Sequence, residues 1–128
     1  MNLIELEKAL KKSWSKETSY CPAEWSESNS SFGQCAITAL VVNDYFGGEI
    51  VWTEASLPNG QKVSHFFNLI NGKEVDLTRS QFPKDTVIPN GIEKKKGFAT
   101  TRDYLLSYEN KKGRYEQLKE KVRNALLD

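Results

Sequence analysis

Gly33-Gln34-Cys35-Ala36-Ile37-Thr38-Ala39-Leu40-Val41-Val42-Asn43-Asp44-Tyr45-Phe46-Gly47-Gly48 is the stretch whose reading decides the fold. Between Ala36 and Phe46 only Thr38, Asn43 and Asp44 interrupt the apolar residues. A helix that is apolar nearly all round has no face for water and must lie at the centre of its domain. The glycine pair supplies its stop. One stripe of this helix carries Cys35, Thr38, Ala39, Val42 and Phe46. That stripe is expected to meet a sheet.

The sheet follows directly. Residues 49–55 and 62–70 read as strands separated by a Pro58-Asn59-Gly60 turn, and Asn71-Gly72 is a two-residue hairpin signal leading into 73–78. Upstream, Leu3, Ile4, Leu6, Leu10 and Trp14 form a helical stripe, followed by a long polar loop over 15–32. Downstream, 79–97 reads as a connection. Thr100-x-x-Asp103 opens a helix running to about Tyr108. Lys111-Lys112-Gly113 is expected to break it before a last helix striped by Tyr115, Leu118, Val122 and Ala125. The expected architecture is α+β: one domain over 1–128, a buried helix on an antiparallel sheet of at least three strands, and helices at both ends.

Composition narrows the function classes. Eighteen Lys and Arg against seventeen Asp and Glu leave a formal charge of +1, so electrostatics give no reason to expect a nucleic-acid or membrane partner. The longest apolar run, Ala39 to Val42, is far too short to cross a bilayer. The amino terminus lacks the basic-then-apolar pattern of a signal peptide. Two cysteines in such a chain point to free thiols and a cytoplasmic location.

Three residues carry the chemistry. Cys35 stands at the start of the buried helix, where unpaired N–H groups and a partial positive charge favour a thiolate and can hold an oxyanion. His65 is the single histidine. If Asn71-Gly72 forms a two-residue turn, Phe67 pairs with Asp76 and His65 with Thr78, placing His65 and Asp76 on one face as diagonal neighbours. Asp76 can then fix the imidazole tautomer, completing a nucleophile–base–orienter chain. The convergence requires the Cys35 stripe to meet the His65 face.

Phe32-Gly33-Gln34-Cys35-Ala36 resembles the motif around the transglutaminase nucleophile. Ser64-His65-Phe66, Asn71-Gly72 and Val75-Asp76-Leu77-Thr78 resemble the His strand, turn and Asp strand of the same superfamily. This resemblance implies a papain- or transglutaminase-like core with Cys35, His65 and Asp76 as a catalytic triad. It offers Trp25 as an oxyanion donor; Gln34, adjacent to the cysteine, is a second candidate that does not match the papain position. The aromatic sequence after the nucleophile, the calcium sites and the extra domains of transglutaminases are absent. Over most of its length the chain is more similar to the small bacterial YunG-like proteins. Trp14-Ser15, Gly33-Gln34-Cys35, Asp44-Tyr45-Phe46-Gly47-Gly48, Glu74-Val75-Asp76-Leu77-Thr78-Arg79, Gln81-Phe82-Pro83 and Thr101-Arg102-x-Tyr104-Leu105-Leu106 carry that likeness.

The expected function is cysteine-dependent acyl transfer on a small-molecule, peptide or protein amide, without a cofactor or metal. The competing expectation is a non-catalytic binding module of the same fold, with the 15–32 loop and the 79–97 connection as its recognition surface. Two lesser alternatives use Cys21: pairing with Cys35 as a disulfide or redox switch, or joining Cys35, His65 and Asp76 around zinc. The latter set lacks the close-paired ligand spacing usual for zinc.

Overall fold

The computed structural model describes residues 1–128 as an α+β fold of four helices and one three-stranded antiparallel sheet. Helix α1 (Leu3–Ser13) starts where Asn2 caps the Glu5 amide at 2.9 Å, and its apolar stripe buries Leu6, Ala9 and Leu10. Trp14 ends it and donates its indole N–H to Thr38 Oγ1 at 2.9 Å. Helix α2 (Cys35–Phe46) buries every residue from Ala36 to Val42. A fully buried Leu or Ile contributes roughly 1.5–3 kcal/mol, so Leu6, Leu10, Ile37, Leu40, Leu105 and Leu118, all buried, each add to the drive that packs the helices together.

Strands β1 (Glu49–Ser56), β2 (Lys62–Ile70) and β3 (Lys73–Val75) lie in the order β1-β2-β3. The hairpin register is the expected one where it forms: Ile70 faces Lys73 and Asn68 faces Val75. Asn71 and Gly72 both adopt positive φ, 51° and 79°, as a tight turn of this type requires. The third strand is shorter than expected. Its ladder ends at Val75, because Asp76 folds its own side chain back onto Thr78 (Oδ1 to the Thr78 amide, 3.3 Å) and the chain turns into a 3-10 turn at Arg79–Gln81. The Phe67–Asp76 and His65–Thr78 pairs are therefore not ladder pairs.

The two faces of the sheet are covered differently. Phe66 and Ile50 belong to the core shared with α2, and Asn68 donates to the Ala39 carbonyl at 3.0 Å. Alternation places His65 and Phe67 on the opposite face, so α2 does not pack on the His65 face as the stripe argument expects. That face is covered by the chain after β3. Phe82 meets the His65 ring, and Gly91 lies so close to Val51 and Phe67 that a Cβ there would fall 2.4 Å from Val51 Cγ2. The same connection pairs with the outer edge of β1 through Val87 and Ile92, which removes an exposed strand edge.

Helix α3 (Thr101–Leu106) is capped by Thr100 onto the Asp103 amide at 3.0 Å. Helix α4 (Glu109–Leu127) corrects the expected break: the chain interrupts its helix at Ser107-Tyr108 and then runs helical straight through Gly113. A mid-helix glycine costs about 1 kcal/mol relative to alanine. Burial of Arg114, Tyr115, Leu118 and Val122 on one side of a 19-residue helix outweighs that. No helix is long and apolar enough to cross a membrane.

Candidate active site

Cys35, His65 and Asp76 come together, by a route the strand register alone does not provide. Because β3 stops at Val75, the edge of β2 at His65 and Phe66 has no strand beside it. Trp52 gives its N–H outward to Ile92, so the Trp52–Phe66 pair is a non-hydrogen-bonded one and the Phe66 N–H points to the vacant edge. The first residue of α2, Cys35, occupies that edge with the Phe66 N–H against its sulfur. His65 reaches the same sulfur from the other face of the strand.

His65 is wholly buried and its Nε2 lies 2.7 Å from Asp76 Oδ2. The other oxygen of Asp76 accepts from the Thr78 amide and hydroxyl at 3.3 and 3.4 Å, so the carboxylate cannot rotate away. Phe67 stacks on the imidazole at 5.4 Å between centroids, and Phe82 meets it edge-on at 4.9 Å. With Nε2 occupied, Nδ1 is the ring atom left for the thiol. It is buried and forms no aligned hydrogen bond to any protein atom.

The electrostatics follow from this packing. Burial pushes the His65 pKa down, but the hydrogen bond to Asp76, the nearby Cys35 sulfur and the negative charge on both outweigh it, lifting the pKa to about 9. Burial likewise pushes the Cys35 thiol up. Hydrogen bonding and charge from His65, with the Phe66 N–H, outweigh burial and hold the thiol below its ordinary range. Both shifts move the pair towards thiolate and imidazolium. Cys21 behaves oppositely: its sulfur lies 3.1 Å from Glu24 Oε2, and that contact raises its pKa. Both cysteines are free.

The two oxyanion candidates are placed elsewhere. Gln34 is fully buried and donates to the Ser15 carbonyl at 3.0 Å, away from the cleft. Trp25 gives its indole N–H to the Ser30 carbonyl at 2.9 Å, inside its own loop. The donors at hand are backbone groups. Gln34 provides α2 with no side-chain cap, and the first helical bond is Thr38 N–H to the Gln34 carbonyl, leaving the first-turn amides without intrahelical acceptors.

Cys35 lines a cleft of about 610 Å³ bounded by Phe32, Phe66 and Phe82 and by Lys111 and Arg114 from α4. Its shape depends on a lacing that sequence reasoning missed. Gln81 donates to Thr78 Oγ1 at 3.0 Å and accepts from the Gly33 amide at 3.3 Å, joining the Asp76 turn to the loop before Cys35. Gly33 is obligatory there: its φ is +72°, and a Cβ would fall 2.3 Å from Ser19 Oγ and 2.9 Å from the Tyr20 nitrogen. Gln81-Phe82-Pro83 stands out in the sequence, but without a role. Arg114 is legible as well, being four and eight residues before Leu118 and Val122 on the buried stripe. The expected break at Gly113 hides it.

Comparison with known proteins agrees on family and is silent on chemistry. The family model described as "YunG protein" matches residues 2–127. A protein of Bacillus subtilis (strain 168) with the name "Uncharacterized protein YunG" is 44% identical over 73 residues, which is 57% of this chain and 56% of that protein. The match thus spans little more than half of either chain. No solved structure matches. With a family match over almost its whole length, the chain belongs to the YunG family.

Proposed function

We propose that the chain is a cysteine-dependent acyl-transfer enzyme with a papain- or transglutaminase-like core, acting on an amide or ester of a small molecule, peptide or protein. One observation carries the reading: the buried imidazole is held at Nε2 by Asp76, leaving a free Nδ1 for a cleft-lining thiol at a helix start. In the first step the proton of the pair rests on His65 Nδ1 and the Cys35 sulfur forms a bond to the carbonyl carbon. The carbonyl electron pair moves onto oxygen, where the first-turn amides of α2 can receive it. As the intermediate collapses, the C–N or C–O bond breaks and the leaving group takes the His65 proton. A thioester remains on Cys35. Water, an amine or a thiol then completes the transfer by attacking the thioester, with His65 again moving the proton. A thiolate of this kind suits a reducing cytoplasm.

The test is a burst experiment with p-nitrophenyl acetate. The expected result is one nitrophenolate released per chain in the fast phase, with an acetyl group on Cys35 in the intact mass. Cys35→Ala should abolish the burst and His65→Ala should slow it by about 10²–10⁴-fold, the usual value of a positioned acid–base. Acetylation spread over lysines, with Cys35 unmodified, would leave only the binding-module reading.

A further inference from the structure

The cleft has a charge pattern that the triad does not use. Arg114 is 8% exposed, yet no carboxylate pairs with it. Its Nε donates to Asn110 Oδ1 at 2.9 Å and its Nη1 to the Thr18 carbonyl at 3.2 Å. These bonds fix the guanidinium plane while leaving Nη2 without a protein acceptor. That nitrogen keeps some exposed surface, and Arg114 lines the cleft. Lys111, one helical turn earlier, lines the same wall with its Nζ 4.2 Å over the Tyr108 ring, and it too makes no ion pair. Lys62 is a third cation at the rim, donating to Ser56 Oγ at 3.1 Å. The single acid on the lining, Glu24, is engaged by Cys21.

Desolvating a guanidinium without a carboxylate partner is costly, and a surface arginine on the same helix would avoid it. A positive wall with one fixed, unoccupied N–H edge is what recognises a compact anion. Burial lowers the pKa of both Arg114 and Lys111, and the Arg114 charge adds to that for Lys111; a thiolate on Cys35 acts on both in the opposite direction. We propose that the cleft selects acyl substrates bearing a carboxylate, which the free Nη2 edge of Arg114 holds with Lys111 beside it, so that the scissile carbonyl meets Cys35. The substrate assignment rests on the acyl-transfer reading; the anion subsite does not.

The test uses the full chain with ¹⁵N-labelled arginine and two probes, N-acetylglycine and its neutral counterpart N-acetylglycinamide. The Arg114 Nε–H signal, assigned by its loss in Arg114→Lys, should shift saturably with the acid, at least tenfold more tightly than with the amide. Lys111→Gln, a change on a partly exposed residue that leaves the Arg114 bonds in place, should weaken acid binding several-fold. Equal affinities for acid and amide, or unchanged acid affinity in Lys111→Gln, would overturn the subsite whatever the thiol does. Alkylation of Cys35 by iodoacetamide on the same samples separates the two ideas. Saturable acid binding beside an inert thiol would keep the subsite and overturn the substrate assignment.

Discussion

Replacing Asp76 by Asn removes one charge and exchanges one oxygen for an amide nitrogen, and its effect on stability has a definite dependence on pH. His65 is fully buried and Asp76 is 18% exposed, so solvent screens their 2.7 Å contact little. The folded-state pKa of His65 is raised from 6.5 to about 9, which corresponds to about 3 kcal/mol of linked stability. For a raised pKa the contribution is complete below pH 6.5, declines as pH climbs, and is gone above about 9. Asp76 is the largest of the influences that raise it. Without the carboxylate the largest raising influence is gone and burial still opposes the charge, so the ring titrates lower and the variant escapes part of the penalty of an unpaired buried charge. The carbonyl oxygen of the introduced amide can still accept from Nε2–H, which keeps a neutral hydrogen bond worth about 1 kcal/mol. In urea unfolding the variant should be about 2–3 kcal/mol less stable than the parent at pH 6 and about 1 kcal/mol less stable at pH 9.5. Groups titrating elsewhere cancel in the comparison. A destabilisation of the same size at both pH values would refute the reasoning, since it would mean that His65 does not carry its proton because of Asp76.

Two further outcomes follow from the placement of single groups. Trp25→Phe should cost about 1 kcal/mol, the value of the lost bond to the Ser30 carbonyl, and change the nitrophenyl acetate burst less than threefold; a hundredfold loss would show the indole acting as an oxyanion donor. Gly113→Ala should stabilise the chain by about 0.5–1 kcal/mol in thermal unfolding, because Gly113 is helical and nothing lies within 4 Å of an added Cβ; a fall in melting temperature would contradict the continuous α4.

Much of the fold is legible in the sequence because its signals are local. The stretch 36–42, apolar except for Thr38, reads as a buried helix, and Asn71-Gly72 fixes the hairpin register to the residue. Errors arise where tertiary packing competes with a local preference. Gly113 weakens a helix, but the stripe from Arg114 to Val122 holds it together. Asp76 is expected within a strand, but its side chain bonds the Thr78 amide and ends the ladder early. That shortening matters for the site, since the vacant edge of β2 is where Cys35 sits. In the sequence the hairpin suggests only that His65 and Asp76 are neighbours; that Cys35 joins them rests on the transglutaminase-like resemblance. The face they meet on is not legible, because side-chain alternation says nothing of a helix end entering at a strand edge. Gln34 and Trp25 illustrate another gap: both are near Cys35 in sequence, and both have donors engaged by carbonyls of the preceding loop. Polar side chains in a long loop bond the loop first, and periodicity carries no trace of that.

The central claim is that Cys35 and His65 share a proton so as to favour thiolate and imidazolium, and the pH profile of alkylation tests it most directly. With iodoacetamide and mass-spectrometric readout of each thiol, Cys35 should react faster than Cys21, its rise with pH should begin at lower pH, and its rate should change again near pH 9, where His65 loses its proton. Cys21, raised by Glu24, should react slowly and gain about tenfold per pH unit across the neutral range. His65→Ala should convert the Cys35 profile to the Cys21 form. If Cys35 in the parent chain instead rises in parallel with Cys21 and is unaffected by that change, the thiol and the imidazole are neighbours without shared chemistry, and the account is contradicted.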